Sequence, residues 1–298
     1  MHTHHGTESR DAERVAVKRV LTYGRFVKIE HTLFSFPLLL SGALLARGEL
    51  TPRTLILILA AGTGARTAAL GLNRILDRRI DGDNPRTENR ELPSGAMSAV
   101  EAWLVTVAGV ALFFASAYGI SPRCLWLAPI PLAIFLIYPL LKRFTMWAHL
   151  GVGAALAMGP LGAWYAVQLD FRDFGNALLL CLFTLLWVAG FDIIYATLDQ
   201  DFDRSRGLHS LPARLGRERA LRVSAAFHAA AFLLLGILYL RALSGPLAAL
   251  LLGLIGALLV AEHALASDVD LAFFKINAVV GFVVLGFIAL GLYPPLVS

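Results

Sequence analysis

Apolar runs of about twenty residues, each broken by a short polar or Gly/Pro segment, recur along the whole chain. They place spans near 30–47, 54–72, 98–119, 122–141, 147–168, 175–195, 221–241, 244–264 and 272–293. The first is the weakest: Lys28 and Glu30 flank a run of moderate length, and Pro37 is expected to kink it. The pattern predicts an all-α, polytopic membrane protein of nine transmembrane helices around a central cavity opening to the cytoplasmic side. Residues 1–20 are polar and lack an apolar core, so they read as a flexible cytoplasmic tail and not as a signal peptide. His2, His4 and His5 belong to that tail, and 21–298 form the membrane domain.

Two polar stretches interrupt this pattern in the same way. The first, Asn73 to Gly95, carries Asn73, Asp77 and Asp81 four residues apart, so a helix would present all three on one face. The second, Asp192 to Gly216, repeats the device with Asp192, Tyr195, Asp199 and Asp203. In both, the carboxylates fall at the C-terminal end of an apolar helix, just before a breaker (Gly82 with Asn84-Pro85, then Gly207), where the helix dipole disfavours negative charge. Helix stability does not ask for acids there, whereas a hard divalent cation does. Mg2+ takes oxygen ligands, typically one or two carboxylates, and leaves the rest of its shell to water and phosphate. Arg74, Arg78, Arg79, Arg86 and Arg90, with Arg204, Arg206 and Arg214, suit the remaining oxygens of a diphosphate held between the ladders. The plain alternative is two solvated charged loops, and the matching spacing of the pair argues against it.

Composition agrees with a bilayer setting. Of the 298 residues 57% are hydrophobic and 16% charged, where a soluble domain carries about 25% charged. With the N-terminus inside, twenty Lys and Arg fall on cytoplasmic segments and five (Arg47, Arg53, Arg123, Arg172, Arg241) on the opposite side. The positive-inside rule therefore sets that orientation and brings both ladders to the cytoplasmic face of a bacterial-type inner membrane. The same bias accounts for the net charge of +5 without nucleic acid, and the basic tail suits an anionic leaflet.

Arg66 stands alone in an apolar span, seven residues before Asn73 and on its face, so it is a candidate for a phosphate or an acceptor carboxylate. Asp192 holds the equivalent depth in the second ladder, and the two are candidates to pair. Lys28, Glu30 and His31 either anchor the interface or line the cavity mouth. Lys142 and Arg143 cap a helix end or enter the same vestibule as ligands. Gly151, Gly153, Gly159 and Gly162 suit close helix packing, and His149 reads as structural. Cys124 and Cys181 lack metal or redox spacing. Glu262, His263, Asp268 and Asp270 precede Phe273, Phe274, Lys275 and Asn277; the acids read as solvated, and Asn277 bonds between helices or lines the cavity.

With these residues in view the chain resembles the UbiA superfamily of intramembrane aromatic prenyltransferases over nearly its whole length. The signature NxxxDxxxD followed by NPRTxxRxLPxG is met by Asn73, Asp77, Asp81 and then Asn84 through Gly95. DxxYAxxDxxxD followed by GxxSxPxRxG is met by Asp192, Tyr195, Asp199, Asp203 and Gly207 through Gly216, and YPxxKRxT by 138–145. The wording of both motifs is similar to the branch of 4-hydroxybenzoate polyprenyltransferases.

The resemblance implies that Asn73, Asp77, Asp81, Asp199 and Asp203 hold Mg2+ against a polyprenyl diphosphate, with Arg78, Lys142 and Arg143 adding charge. It implies ionisation of the allylic C–O bond and attack by the ring of an aromatic acid acceptor in quinone synthesis. Asp192 or Asp199 takes the ring proton; Tyr195 steadies the cation, orients the acceptor or only packs. The substrate-binding set is then Arg66, Asn73, Arg78, Lys142, Arg143 and Asn277. Other acceptors in view are 1,4-dihydroxy-6-naphthoate, for menaquinone, and haem. A cation-coupled transporter is the rival of another class, but transport would put its charges near the midplane with routes to both faces.

Overall fold

A computed structural model describes residues 19, 21–28, 32–46, 48–268 and 275–292. Most of the expected tail, together with Glu30, His31, Arg47, Asp270, Phe273 and Phe274, lies outside the described residues. A short helix α1 covers 21–26. It is followed by α2 (Thr32–Leu45), α3 (Pro52–Leu76), α4 (Arg78–Asp83), α5 (Ala99–Ile120), α6 (Pro122–Leu127), α7 (Pro129–Leu141), α8 (Ala148–Gln168) and α9 (Phe174–Ala196). After a 3-10 turn at Thr197–Asp199 come α10 (Gln200–Ser205), α11 (Leu211–Leu215), α12 (Arg217–Ala242), α13 (Pro246–Ala264) and α14 (Asn277–Leu292). No strand occurs among the described residues.

Among the described residues seven helices are long and apolar enough to cross a bilayer, and they match seven of the nine expected spans. The expected spans at 30–47 and 272–293 are the shorter helices α2 and α14, of 14 and 16 residues. Local signals set the ends. Thr51 accepts from the Thr54 N–H at 3.1 Å with Pro52 behind it, and Ser98 with Glu101 forms a capping box. Pro122 and Pro129 start α6 and α7, dividing one expected span at Ala128.

The bundle is built around α9. Its apolar window is 67% buried, against 17–39% for the other six, and Phe183, Trp187, Val188, Ile193 and Ile194 are at most 1% exposed. Helices α8 and α12 flank it. The glycines of α8 divide into two pairs. A Cβ at Gly153 would sit 2.2 Å from the Leu185 carbonyl oxygen, so only glycine lets α8 and α9 come this close, while a Cβ at Gly151 would meet the Leu141 side-chain tip on α7 at 2.5 Å. Gly162 has nothing within 4 Å and Gly159 only the tip of Leu39, because both face a cavity and not a helix. That cavity, about 430 Å3, exists because small residues on α3 (Ala61, Gly62, Ala65, Ala69) oppose Gly159 and Gly162.

Candidate active site

The first ladder does not stay on one helix. Helix α3 stops at Asp77 (φ −96°, ψ 3°), the chain restarts as α4, and α4 ends at Asn84, within the expected breaker of Gly82 with Asn84-Pro85. Asp77 is 2% exposed and sits over its own helix C-terminus, a poor place for negative charge. Two cations hold it. Lys142 Nζ lies 2.7 Å from Oδ2, and Arg143 Nη2 reaches Oδ1 at 3.5 Å while donating to the Leu76 carbonyl at 2.7 Å. Asn73 donates to the same Oδ2 at 3.5 Å. Burial raises the Asp77 carboxyl above its ordinary value, and Lys142 pulls it back. Asp81 is buried too, and Arg90 Nη1 grips both its oxygens at 2.8 and 2.9 Å. Arg74, 6% exposed, pairs with Glu91 at 2.7 Å and so ties α3 to the loop that carries Arg90.

The two ladders meet through the residues after the first. Asn84 Nδ2 donates to Asp199 Oδ1 at 2.8 Å, and Arg86 grips both oxygens of Asp199 through Nε and Nη2. The Arg86 Nη1 also donates to the Tyr195 hydroxyl at 2.7 Å, with the guanidinium 4.9 Å from that ring's centroid. The sequence motifs are thus one site, although 113 residues separate Arg86 from Asp199.

Three consecutive residues of the second motif's loop reach three parts of this site. The His209 N–H donates to the Lys142 carbonyl at 2.7 Å, the Ser210 hydroxyl lies beside Asp203 while accepting from the Ala213 N–H at 3.3 Å, and the Leu211 N–H donates to His149 Nε2 at 3.3 Å. His149 is itself 2.6 Å from Asp192 through Nδ1. The spacing of Asp192 pointed to Arg66 as its partner; among the described residues its hydrogen-bond partner is His149. Sequence reasoning read His149 as structural, and nothing local marks it, since its role depends on α8 lying against α9.

Arg66 lines the cavity, donating to Ser35 Oγ at 2.9 Å and the Lys28 carbonyl at 3.2 Å. Tyr138, also lining it, lies in electrostatic range of Asp77, Asp192 and Arg66, which joins the apolar chamber to the acids. Two expected ligands stand elsewhere. Arg78 follows Asp77 directly, opens α4 on the far side of the helix break, and is exposed. Asn277, 1% exposed, accepts from Trp187 Nε1 at 2.8 Å and donates to Glu262 Oε1 at 2.9 Å, within a buried cluster that also holds His228 and His263. Glu262, expected to be solvated, is 0% exposed, because its helix end packs against α14.

The donor set is all oxygen and suits Mg2+ better than a softer ion. Among the described residues no three acidic or imidazole groups converge on one point. That is no obstacle for an ion that takes one or two carboxylates and completes its shell with water and phosphate.

Comparison with known proteins follows the same lines. A model of the UbiA prenyltransferase family matches residues 34–272. The chain is 31% identical over 184 residues to a 4-hydroxybenzoate octaprenyltransferase of Pseudomonas syringae pv. tomato, covering 62% of each chain. Among solved structures it is similar to an apo UbiA homolog from Aeropyrum pernix K1, with 38% identity, a TM-score of 0.81, and 88% of this chain and 98% of that one covered. A UbiA homolog from Archaeoglobus fulgidus bound to GPP and Mg2+ shares the fold at 20% identity, with a TM-score of 0.63 over 91% and 99% of the two chains.

Proposed function

The chain belongs to the UbiA prenyltransferase family, and from that premise we propose that it transfers a polyprenyl group from polyprenyl diphosphate to the ring of an aromatic acid of the 4-hydroxybenzoate type, with Mg2+ as cofactor. The observation that carries the reading is the junction of both aspartate motifs through Asn84 and Arg86, together with an apolar chamber whose lining includes Arg66 and Tyr138. The Archaeoglobus relative with GPP and Mg2+ supports the donor and the metal, and the Pseudomonas relative supports the acceptor. In this reading α2 and α14 also cross the bilayer, for nine spans, and the positive-inside bias puts the N-terminus and both motifs on the cytoplasmic side.

Asn73, Asp77, Asp81, Asp199 and Asp203 would hold the metal, which supplies positive charge to the leaving diphosphate. Arg86, Arg90, Lys142 and Arg143 now neutralise those carboxylates, and each has donors to turn to phosphate oxygens. The cavity of about 430 Å3 takes the allylic end of the isoprenoid and keeps water from the carbocation. Arg66 offers a cation to the acceptor carboxylate. The allylic C–O bond breaks with its electron pair going to diphosphate, the ring carbon ortho to the phenol forms the new C–C bond, and the ring proton passes to Asp192.

The test is prenyl transfer in membranes containing the chain, with Mg2+, a long polyprenyl diphosphate, and either 4-hydroxybenzoate or 1,4-dihydroxy-6-naphthoate. Product with hydroxybenzoate that disappears on chelation and in Asp199→Ala supports the reading. Product with the naphthoate alone moves the acceptor class, and full transfer by Asp199→Ala refutes the shared site.

A further inference from the structure

We propose that His149 is a positioning residue that aims the Asp192 carboxylate at the acceptor ring, and that the backbone N–H of Leu211 locks it in the one tautomer able to do so. The inference rests on the reading of Asp192 as the group that takes the ring proton. It starts from hydrogen-bond direction. The Leu211 N–H can only donate, so the His149 Nε2 that meets it at 3.3 Å presents its lone pair. The ring proton is therefore on Nδ1, and it is donated to Asp192 Oδ2 at 2.6 Å, a short charge-assisted bond. His149 is 4% exposed, so water does not compete for either nitrogen, whereas Asp192 keeps about a quarter of its side chain accessible.

The loop makes the arrangement rigid. Leu211 is fully buried at the start of α11, where a helix N–H lacks an intrahelical acceptor and is available to the imidazole. Its neighbour His209 is bound to the Lys142 carbonyl and Ser210 caps α11 through the Ala213 N–H at 3.3 Å, so the N–H has little room to swing. A second proton on His149 would set an Nε2–H against the Leu211 N–H, donor to donor. The imidazole therefore cannot pull the abstracted proton from Asp192 while the loop is docked, and the proton leaves from the carboxylate. The order is the reverse of a Ser-His-Asp triad, in which the carboxylate orients the imidazole and the imidazole takes the proton.

The full chain in lipid nanodiscs, labelled with 15N-histidine, tests the tautomer without substrate. Subtracting the spectrum of His149→Asn isolates the ring, and the expected signals are those of an Nδ1-protonated neutral imidazole; an Nε2-protonated ring overturns the proposal. Kinetics test the role. His149→Asn, whose amide can return an N–H to the place of Nδ1, keeps most of kcat. His149→Leu, similar in volume and without a donor, loses about 10²-fold in kcat at unchanged KM for the diphosphate, the size expected for a misaimed catalytic group. Full kcat in His149→Leu beside an active wild type sinks this inference alone. A wild type inactive with every acceptor sinks the reaction it rests on, and the spectrum still decides the tautomer. Should His149→Leu fail to fold, the wild-type spectrum and the Asn variant decide between the outcomes.

Discussion

Replacing Gly153 by alanine adds one methyl group where α8 meets α9. Its Cβ would lie 2.2 Å from the Leu185 carbonyl oxygen and 3.0 Å from the carbonyl carbon, both backbone atoms that no rotamer change can move. Relieving the clash to an ordinary contact requires the helices to part by at least about 1.2 Å. His149 lies one turn before Gly153 on the same face of α8 and meets Asp192 on α9. A shift of that size stretches the 2.6 Å bond to roughly 3.8 Å, beyond hydrogen bonding. Two energies oppose each other: alanine gains about 1 kcal/mol of helix propensity, and overpacking costs about 1–3 kcal/mol. The overpacking wins because the obstacle is backbone. The expected result is a lower unfolding midpoint in detergent and a kcat for prenyl transfer down by about 10²-fold. Gly236→Ala is the control: a Cβ there meets nothing within 4 Å, so it should gain stability by up to about 1 kcal/mol. Wild-type midpoint and kcat in Gly153→Ala would refute the idea that this contact sets the His149–Asp192 distance.

Three further outcomes are expected. Arg66→Leu should remove transfer while the protein still inserts and folds, checked by chromatography in detergent beside the assay; normal turnover would take Arg66 out of the site. Glu91→Gln leaves the buried Arg74 guanidinium with a neutral partner at 2.7 Å and should cost about 3 kcal/mol, read as a lowered denaturation midpoint. Trp187→Phe keeps the stacking on Phe183 but removes the donor to Asn277 Oδ1, and should cost about 1–3 kcal/mol in the same measurement.

The placement of seven spans was legible in the chain because a bilayer demands long apolar runs, and length and periodicity are local properties. Seven spans appear within a few residues of where hydropathy puts them. The two motifs were legible for a related reason: acids at the apolar C-terminal end of a helix are costly wherever that helix goes, so their presence signals chemistry before any packing is known. Tertiary structure alone decided which groups meet. The side chain of Arg78 is as basic as that of Arg86, yet Arg86 clamps Asp199 while Arg78 is exposed, because Arg78 opens α4 and Arg86 lies in the turn after it, where Asn84 also meets Asp199. Asn277 and Glu262 satisfy each other in a separate buried cluster, since α13 and α14 pack side by side. His149 became the partner of Asp192 only when Gly153 let two helices approach to backbone contact. Hydropathy and spacing are written along one chain, whereas a hydrogen bond between α8 and α9 depends on the distance between two helices, which side chains from both of them set together.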